Sequence, residues 1–209
     1  MPDNATTWKL IHSEREALID TLSGLSPEQW AAPSLCAGWS IQLAAGHVLA
    51  GAEQTPLAFT SGLISSGLRF NTMVDRDARR LGALDGAEII ERLRARTTTT
   101  NHPPAPVGAM LGEVVVHGED IRRPLGVSSP VAPDAVVACL EMYKRANFPV
   151  GTKKRIAGLR LAASDVDWSH GTGPDVNGPA LSLLLAMTGR ALGLDALTGD
   201  GVAVLRSRL

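Results

Sequence analysis

Cysteine is scarce in this chain: Cys36 and Cys139 are the two in 209 residues. They are far apart and form no CxxC pair, which excludes a disulfide framework and a zinc knuckle and marks both as free thiols. An excess of either charge is also missing. The 20 Lys and Arg residues stand against 21 Asp and Glu, a net charge of -1, so no basic field draws in nucleic acid or an anionic membrane. The most basic helical stretch, Glu91 to Arg96, is short and also acidic, which sets aside a DNA-binding regulator. No apolar run reaches the roughly 18 residues of a membrane span, and Leu181 to Met187 is the longest tempting one. The N-terminal stretch has no basic region followed by an apolar core, as a secretory signal would. These absences predict a cytoplasmic protein with neither nucleic-acid nor membrane partners. What is present, 44% hydrophobic and 20% charged residues, is the composition of a folded globular chain of one domain or two small ones.

Helical signals dominate the first two thirds. Ile11, Leu18, Leu22 and Leu25 recur largely at helical spacing over residues 7–25, and Gly24 with Ser26-Pro27 supplies the stop. Ser26-Pro27-Glu28-Gln29 reads as a capping box opening a short turn that carries Trp30. A loop from Pro33 to Trp39 follows. Ser40 caps a helix through Leu43, His47 and Val48 to about Glu53. Residues 57–84 permit helix but lack clear periodicity. Asp85, with Glu88 three places on, opens a helix to about Arg96, and the threonines and prolines of residues 97–106 demand a loop. Helices are expected from Val107 to Arg123, closed by Pro124 and Gly126, and from Asp134 to Ala146. After Pro149, partial alternation over residues 155–163, then Val166 to Trp168, predicts a short strand pair. Asn177 is expected to cap a helix from Pro179 to about Leu192, with a last short element after Gly201. The predicted architecture is mainly α: a helical bundle over residues 1–148 and a small α+β domain over 149–209.

The chemistry concentrates in Glu113-Val-Val-Val-His117-Gly-Glu-Asp120. Three valines favour a strand, whereas Met110, Leu111, Val114, Ile121 and the closing proline fit an amphipathic helix better. In a helix Glu113 and His117 sit about 6 Å apart and can grip one ion; in a strand they stand roughly 13 Å apart. Catalytic zinc usually takes three protein ligands, His2Glu among the standard sets, and His47 is the natural third. Spacing leaves the bland readings open: a satisfied buried histidine at 47 and a surface ion pair at 113 and 117.

Leu25-Ser-Pro-Glu-Gln-Trp30, Pro33-Ser-Leu-Cys36-Ala-Gly-Trp39-Ser40 and His47 resemble the N-terminal signature of the mycothiol-dependent maleylpyruvate isomerase family, within the DinB-like superfamily of metal-binding four-helix bundles. Glu113 to Gly126 is similar to that family's E-x-x-x-H-x-x-D-x-R block, and Ala163 to Trp168, Gly171-Thr-Gly173 and Gly189-Arg190 resemble its small appended domain. The resemblance implies a DinB-like bundle in which His47, Glu113 and His117 hold a divalent metal, zinc or another. It implies Arg190 as a catalytic residue and mycothiol as cosubstrate. The implied partners are a thiol and a small electrophile, acted on by a monomer or homodimer. The activated thiol adds to a cis double bond, the adduct rotates, and elimination yields the trans product; in relatives the thiol stays attached, an S-transfer. Family members commonly carry an acidic residue where this chain has Leu43, which puts metal affinity and substrate in question. The alternative function is a non-catalytic metal- or ligand-binding module.

Asp120, three residues after His117, suits a supporting contact to that histidine or a plain arginine contact. Cys36 reads as a fourth ligand or as a small buried hydrophobe. Arg122 and Arg123 read as carboxylate clamps, as solvated surface, or as ion-pair partners of Asp120. His102 lies in the proline-rich loop, exposed or part of a lid. Ser169-His170 invites a triad that lacks an acidic orienter. Trp30 and Trp39 are expected to pack the entry of the second long helix.

Overall fold

The computed structural model describes residues 2–128 and 131–209. It is mainly helical, with one three-stranded sheet, and divides into two compact units, Asn4–Pro130 and Val131–Leu209. The division therefore lies earlier in the chain than the 148/149 boundary suggested by composition. The reason is the helix Pro133–Tyr143, whose buried Ala135, Val136, Cys139 and Leu140 contribute to the C-terminal core.

In the N-terminal unit, α1 (Asn4–Ser23) buries Ile11, Leu18, Ile19 and Leu22 along one stripe. The short α2 (Pro27–Ala31) opens on the expected capping box. Ser26 Oγ accepts from the Gln29 N–H at 3.3 Å, and Gln29 Oε1 accepts from the Ser26 N–H at 2.9 Å. Helix α3 (Ile41–Glu53) starts where Ser40 Oγ accepts from the Leu43 N–H.

Residues 57–84, which show little periodicity, fold as α4 (Pro56–Ser65) and α5 (Phe70–Gly82). Helix α4 buries no side chain, leaving Leu57 80% and Ile64 65% exposed. A helix without a core face writes no periodic stripe, which explains the missing signal over α4, whereas α5 does carry an apolar face. Helix α5 buries Met73, Ala78 and Leu81. Gly82 at its end meets Gly46 of α3 backbone to backbone: a Cβ on Gly46 would stand 2.7 Å from Gly82 Cα and 2.9 Å from the Leu81 carbonyl carbon. Gly46→Ala is accordingly expected to push α3 and α5 apart and cost about 1–3 kcal/mol. The cost would appear as a lowered thermal midpoint.

Helix α6 (Gly86–Arg96) is capped by Asp85, whose Oδ1 accepts from the Glu88 N–H at 2.7 Å, and buries Ile89 and Leu93. Its end is held by the buried Arg15 of α1, which donates through Nη1 to the carbonyls of Arg96 and Thr99 at 2.9 and 3.0 Å. Burial lowers that guanidinium to about 10.

Helix α7 (Val107–Arg122) resolves the ambiguity of the three valines: Val114, Val115 and Val116 are all buried within a helix packed against both α1 and α3. Contact on several sides makes three adjacent apolar positions useful in a helix and overrides their strand preference.

In the C-terminal unit, α8 (Pro133–Tyr143) and the one-turn α9 (Thr152–Arg155) precede β1 (Arg160–Ala163), β2 (Ser169–His170) and β3 (Asp175–Gly178). The sheet order is β2-β1-β3: β1 is antiparallel to β2, with Leu161 opposite His170, and parallel to β3, with Leu161 opposite Val176. The expected strand pair is thus a three-stranded sheet, and the turn-rich run after Trp168 contains its third strand. Asn177 lies in β3 rather than capping the next helix. The N-terminus of α10 (Ala180–Met187) is served instead by Asp165 Oδ1, which accepts from the Ala180 N–H at 2.8 Å. Helix α10 ends earlier than expected, at Met187, two residues before Gly189 with φ 97°, and α11 (Gly201–Arg206) follows.

Candidate metal centre

One helical turn on α7 separates Glu113 from His117, and α3 brings His47 to face them. His47 Nε2 contacts Glu113 Oε1 directly, and His117 Nε2 lies 3.8 Å from the same oxygen. The two imidazoles meet edge to face, with centroids 4.6 Å apart at 90°. One donor atom from each residue falls within 4.8 Å of the others. Among the described residues no fourth His, Cys, Asp or Glu joins this set. The side chains are 13%, 27% and 16% exposed for His47, Glu113 and His117, so solvent reaches the group without dispersing it. Gly51, one turn beyond His47, leaves space beside Glu113: a Cβ there would lie 3.6 Å from Glu113 Cγ. Trp39 sets its ring edge against His47 at 5.3 Å.

Asp120 lies behind His117 and is fully buried. Its Oδ2 accepts from His117 Nδ1 at 2.8 Å and from Cys36 Sγ at 3.1 Å. A carboxylate only accepts, so the proton of a neutral His117 sits on Nδ1, and the Nε2 lone pair is aimed at His47 and Glu113. Cys36 stands 3.5 Å from Nδ1, on the opposite side of the imidazole from Nε2; it does not enter the His47, Glu113 and His117 set. The loop carrying it is tied to α7 through the main chain, where the Leu35 N–H donates to the Asp120 carbonyl at 3.0 Å. In an unbroken helix that carbonyl would accept from residue 124, but Pro124 has no N–H to give. This docking and the thiol contact were missed by sequence reasoning; the proline four places after Asp120 is the signal that marks the vacant acceptor.

The other expected residues lie elsewhere. Leu43 turns towards Gly82 of α5, where its Cδ2 fills the space a Cβ would take. Arg122 is neither a surface residue nor a clamp: it is 1% exposed and donates through Nε to Thr21 Oγ1 at 2.9 Å. Burial lowers its pKa, against the fields of Glu119 and Glu14. Arg123 pairs with Glu119 at 2.7 Å. His102 is half-buried against the Trp8 ring and bonds the Pro103 carbonyl. Ser169 and His170 are neighbours in β2, and successive strand residues face opposite ways, which disposes of a Ser-His pair. Trp30 is buried, with its ring over Gly86. Arg190 belongs to the C-terminal unit, where it precedes the 3-10 turn Ala191–Ala196 and donates to the Thr188 carbonyl at 2.8 Å. Its charge, after burial, helps to lower the pKa of Arg155.

A cavity of about 470 Å³ is lined from α3, α4 and α5 by Ala50, Gln54, Ser61, Arg76, Asp77 and Arg80, among others. Ala50 follows His47 by one turn along α3, and Gln54 caps the end of that helix.

Residues 11–105 match the family model described as the mycothiol maleylpyruvate isomerase N-terminal domain. Two solved structures resemble the whole fold: a mycothiol-dependent maleylpyruvate isomerase, with TM-score 0.66, and a histidine-to-alanine variant of such an isomerase, with TM-score 0.64. In each case 95% of this chain and 93% of the other are covered at 14% identity, a likeness of fold. No curated protein sequence matches significantly. The segment that carries Cys36, Trp39 and His47 lies within the match to the mycothiol maleylpyruvate isomerase N-terminal domain.

Proposed function

We propose that this protein is a zinc-dependent enzyme that uses the thiol mycothiol to convert a small cis-configured electrophile of the maleylpyruvate type into its trans isomer. The observation that carries this reading is the convergence of His47, Glu113 and His117 with the far nitrogen of His117 already committed to Asp120. The residues fit a metal. Ligand atoms about 2.0–2.2 Å from a tetrahedral ion lie roughly 3.4 Å from one another; His117 Nε2 and Glu113 Oε1 stand near that spacing, while His47 Nε2 and the same oxygen are in direct contact and must part to admit an ion. Two imidazoles and one carboxylate are a zinc set with a position left for substrate. When bound, such an ion lowers the pKa of a thiol and holds it as thiolate at neutral pH.

The chain's own residues do the rest. Asp120 keeps His117 in the ligating tautomer, and Trp39 shields one edge of His47. The family resemblance implies a catalytic role for Arg190 of the C-terminal unit, whose planar guanidinium is of a kind that grips carboxylates with two hydrogen bonds. Gln54 and Arg80 offer donors to a polar organic ligand in the cavity lined by α3, α4 and α5. The carbon–sulfur bond that forms on addition breaks again on elimination, so thiol and proton are returned and only the double-bond geometry changes. If the thiol remains attached, the same machinery performs S-transfer. A thiol-dependent enzyme suits the reducing cytoplasm.

The test is a direct assay of protein carrying one zinc per chain, with mycothiol and maleylpyruvate, followed by ultraviolet absorbance and mass spectrometry. Conversion that requires both zinc and thiol is expected. Fully loaded protein that yields neither trans product nor thioether would overturn the reading in favour of a non-catalytic metal-binding module.

A further inference from the structure

The geometry points to Cys36 as a positioning residue for the candidate metal centre: its thiol holds the Asp120 carboxylate in the orientation that fixes the His117 tautomer. This rests on the proposed metal site but extends to a residue outside the ligand set.

Three observations carry it. Cys36 Sγ lies 3.1 Å from Asp120 Oδ2, the same oxygen that accepts from His117 Nδ1 at 2.8 Å. That carboxylate is fully buried, so each hydrogen bond it receives replaces one that water can no longer supply. The loop bearing the thiol is anchored at the adjacent main chain by the bond from the Leu35 N–H to the Asp120 carbonyl, and Ser34 Oγ accepts from the Cys36 N–H at 3.1 Å. The thiol is therefore delivered to Asp120 by a braced backbone. An S–H is a weak donor, well suited to steering a carboxylate without competing with the imidazole for it.

Cys36→Ala removes the donor and Cys36→Ser restores one. Two measurements are made on each protein. In metal-free protein labelled with 15N-histidine, the His117 ring nitrogens report the tautomer directly. Zinc affinity is measured separately by competition with a chromophoric chelator. Partners behind a metal ligand typically change affinity by about 10- to 100-fold, and a weak donor acting through Asp120 should fall at about three- to tenfold. The expected result is a wild-type His117 protonated at Nδ1 and bare at Nε2, an alanine variant with mixed tautomers and weakened zinc binding, and a serine variant restored in both. An alanine variant with the wild-type nitrogen pattern and unchanged zinc affinity overturns the inference. If wild-type protein binds no zinc, the metal reading fails, while the nitrogen pattern still decides the role of Cys36.

Discussion

His117→Ala is expected to abolish zinc binding at the proposed metal centre. Protein purified without chelator should carry about one zinc per chain in the wild type and a small fraction of that in the variant, as measured by elemental mass spectrometry. The expectation follows from the geometry: His117 supplies one of three donor atoms that lie within 4.8 Å of one another. Its removal leaves His47 and Glu113 as a two-donor site. The affinity lost should exceed the roughly 10- to 100-fold that follows loss of a mere supporting partner, and thiol-dependent activity should fall with it. His117→Gln, which retains polarity but not the imidazole lone pair, should fail similarly. Folding should survive, because the His117 side chain is 16% exposed and borders the site rather than filling the core. Retention of zinc by both variants would show that the three residues form only a hydrogen-bonded cluster.

Arg122→Ala should have the largest effect on stability, with no direct effect on the site. Arg122, the last residue of α7, is 1% exposed, with Glu119 0% and Glu14 4% exposed; its guanidinium lies 3.9 Å from Glu119 Oε1 and donates to Thr21 on α1. Removing one partner of a buried charge group leaves the others uncompensated, at a cost of about 3–5 kcal/mol. For a chain of this size that corresponds to a fall in thermal midpoint of roughly 10 °C. A single variant within about 1 kcal/mol of wild type would mean that water reaches the carboxylates.

Much of this molecule was written locally. The capping box at Ser26, the caps at Ser40 and Asp85, and the helix limits around residues 41–53 and 107–122 follow from short-range chemistry: a side-chain oxygen meets a main-chain N–H three residues on, and Pro124 ends α7. The pairing of Glu113 with His117 is equally local once the segment is helical, because one turn sets their spacing. Tertiary structure decided the rest. It chose helix over strand for the three valines by surrounding them, and it brought His47 from 66 positions earlier in the chain to face Glu113 through the α3 and α7 packing. It drew Arg122 into the core and set Cys36 against Asp120. These outcomes depend on which surfaces meet. A bond between residues distant in sequence leaves its mark only as a vacancy, such as the carbonyl of Asp120 that Pro124 cannot serve, and the fold selects the group that fills it.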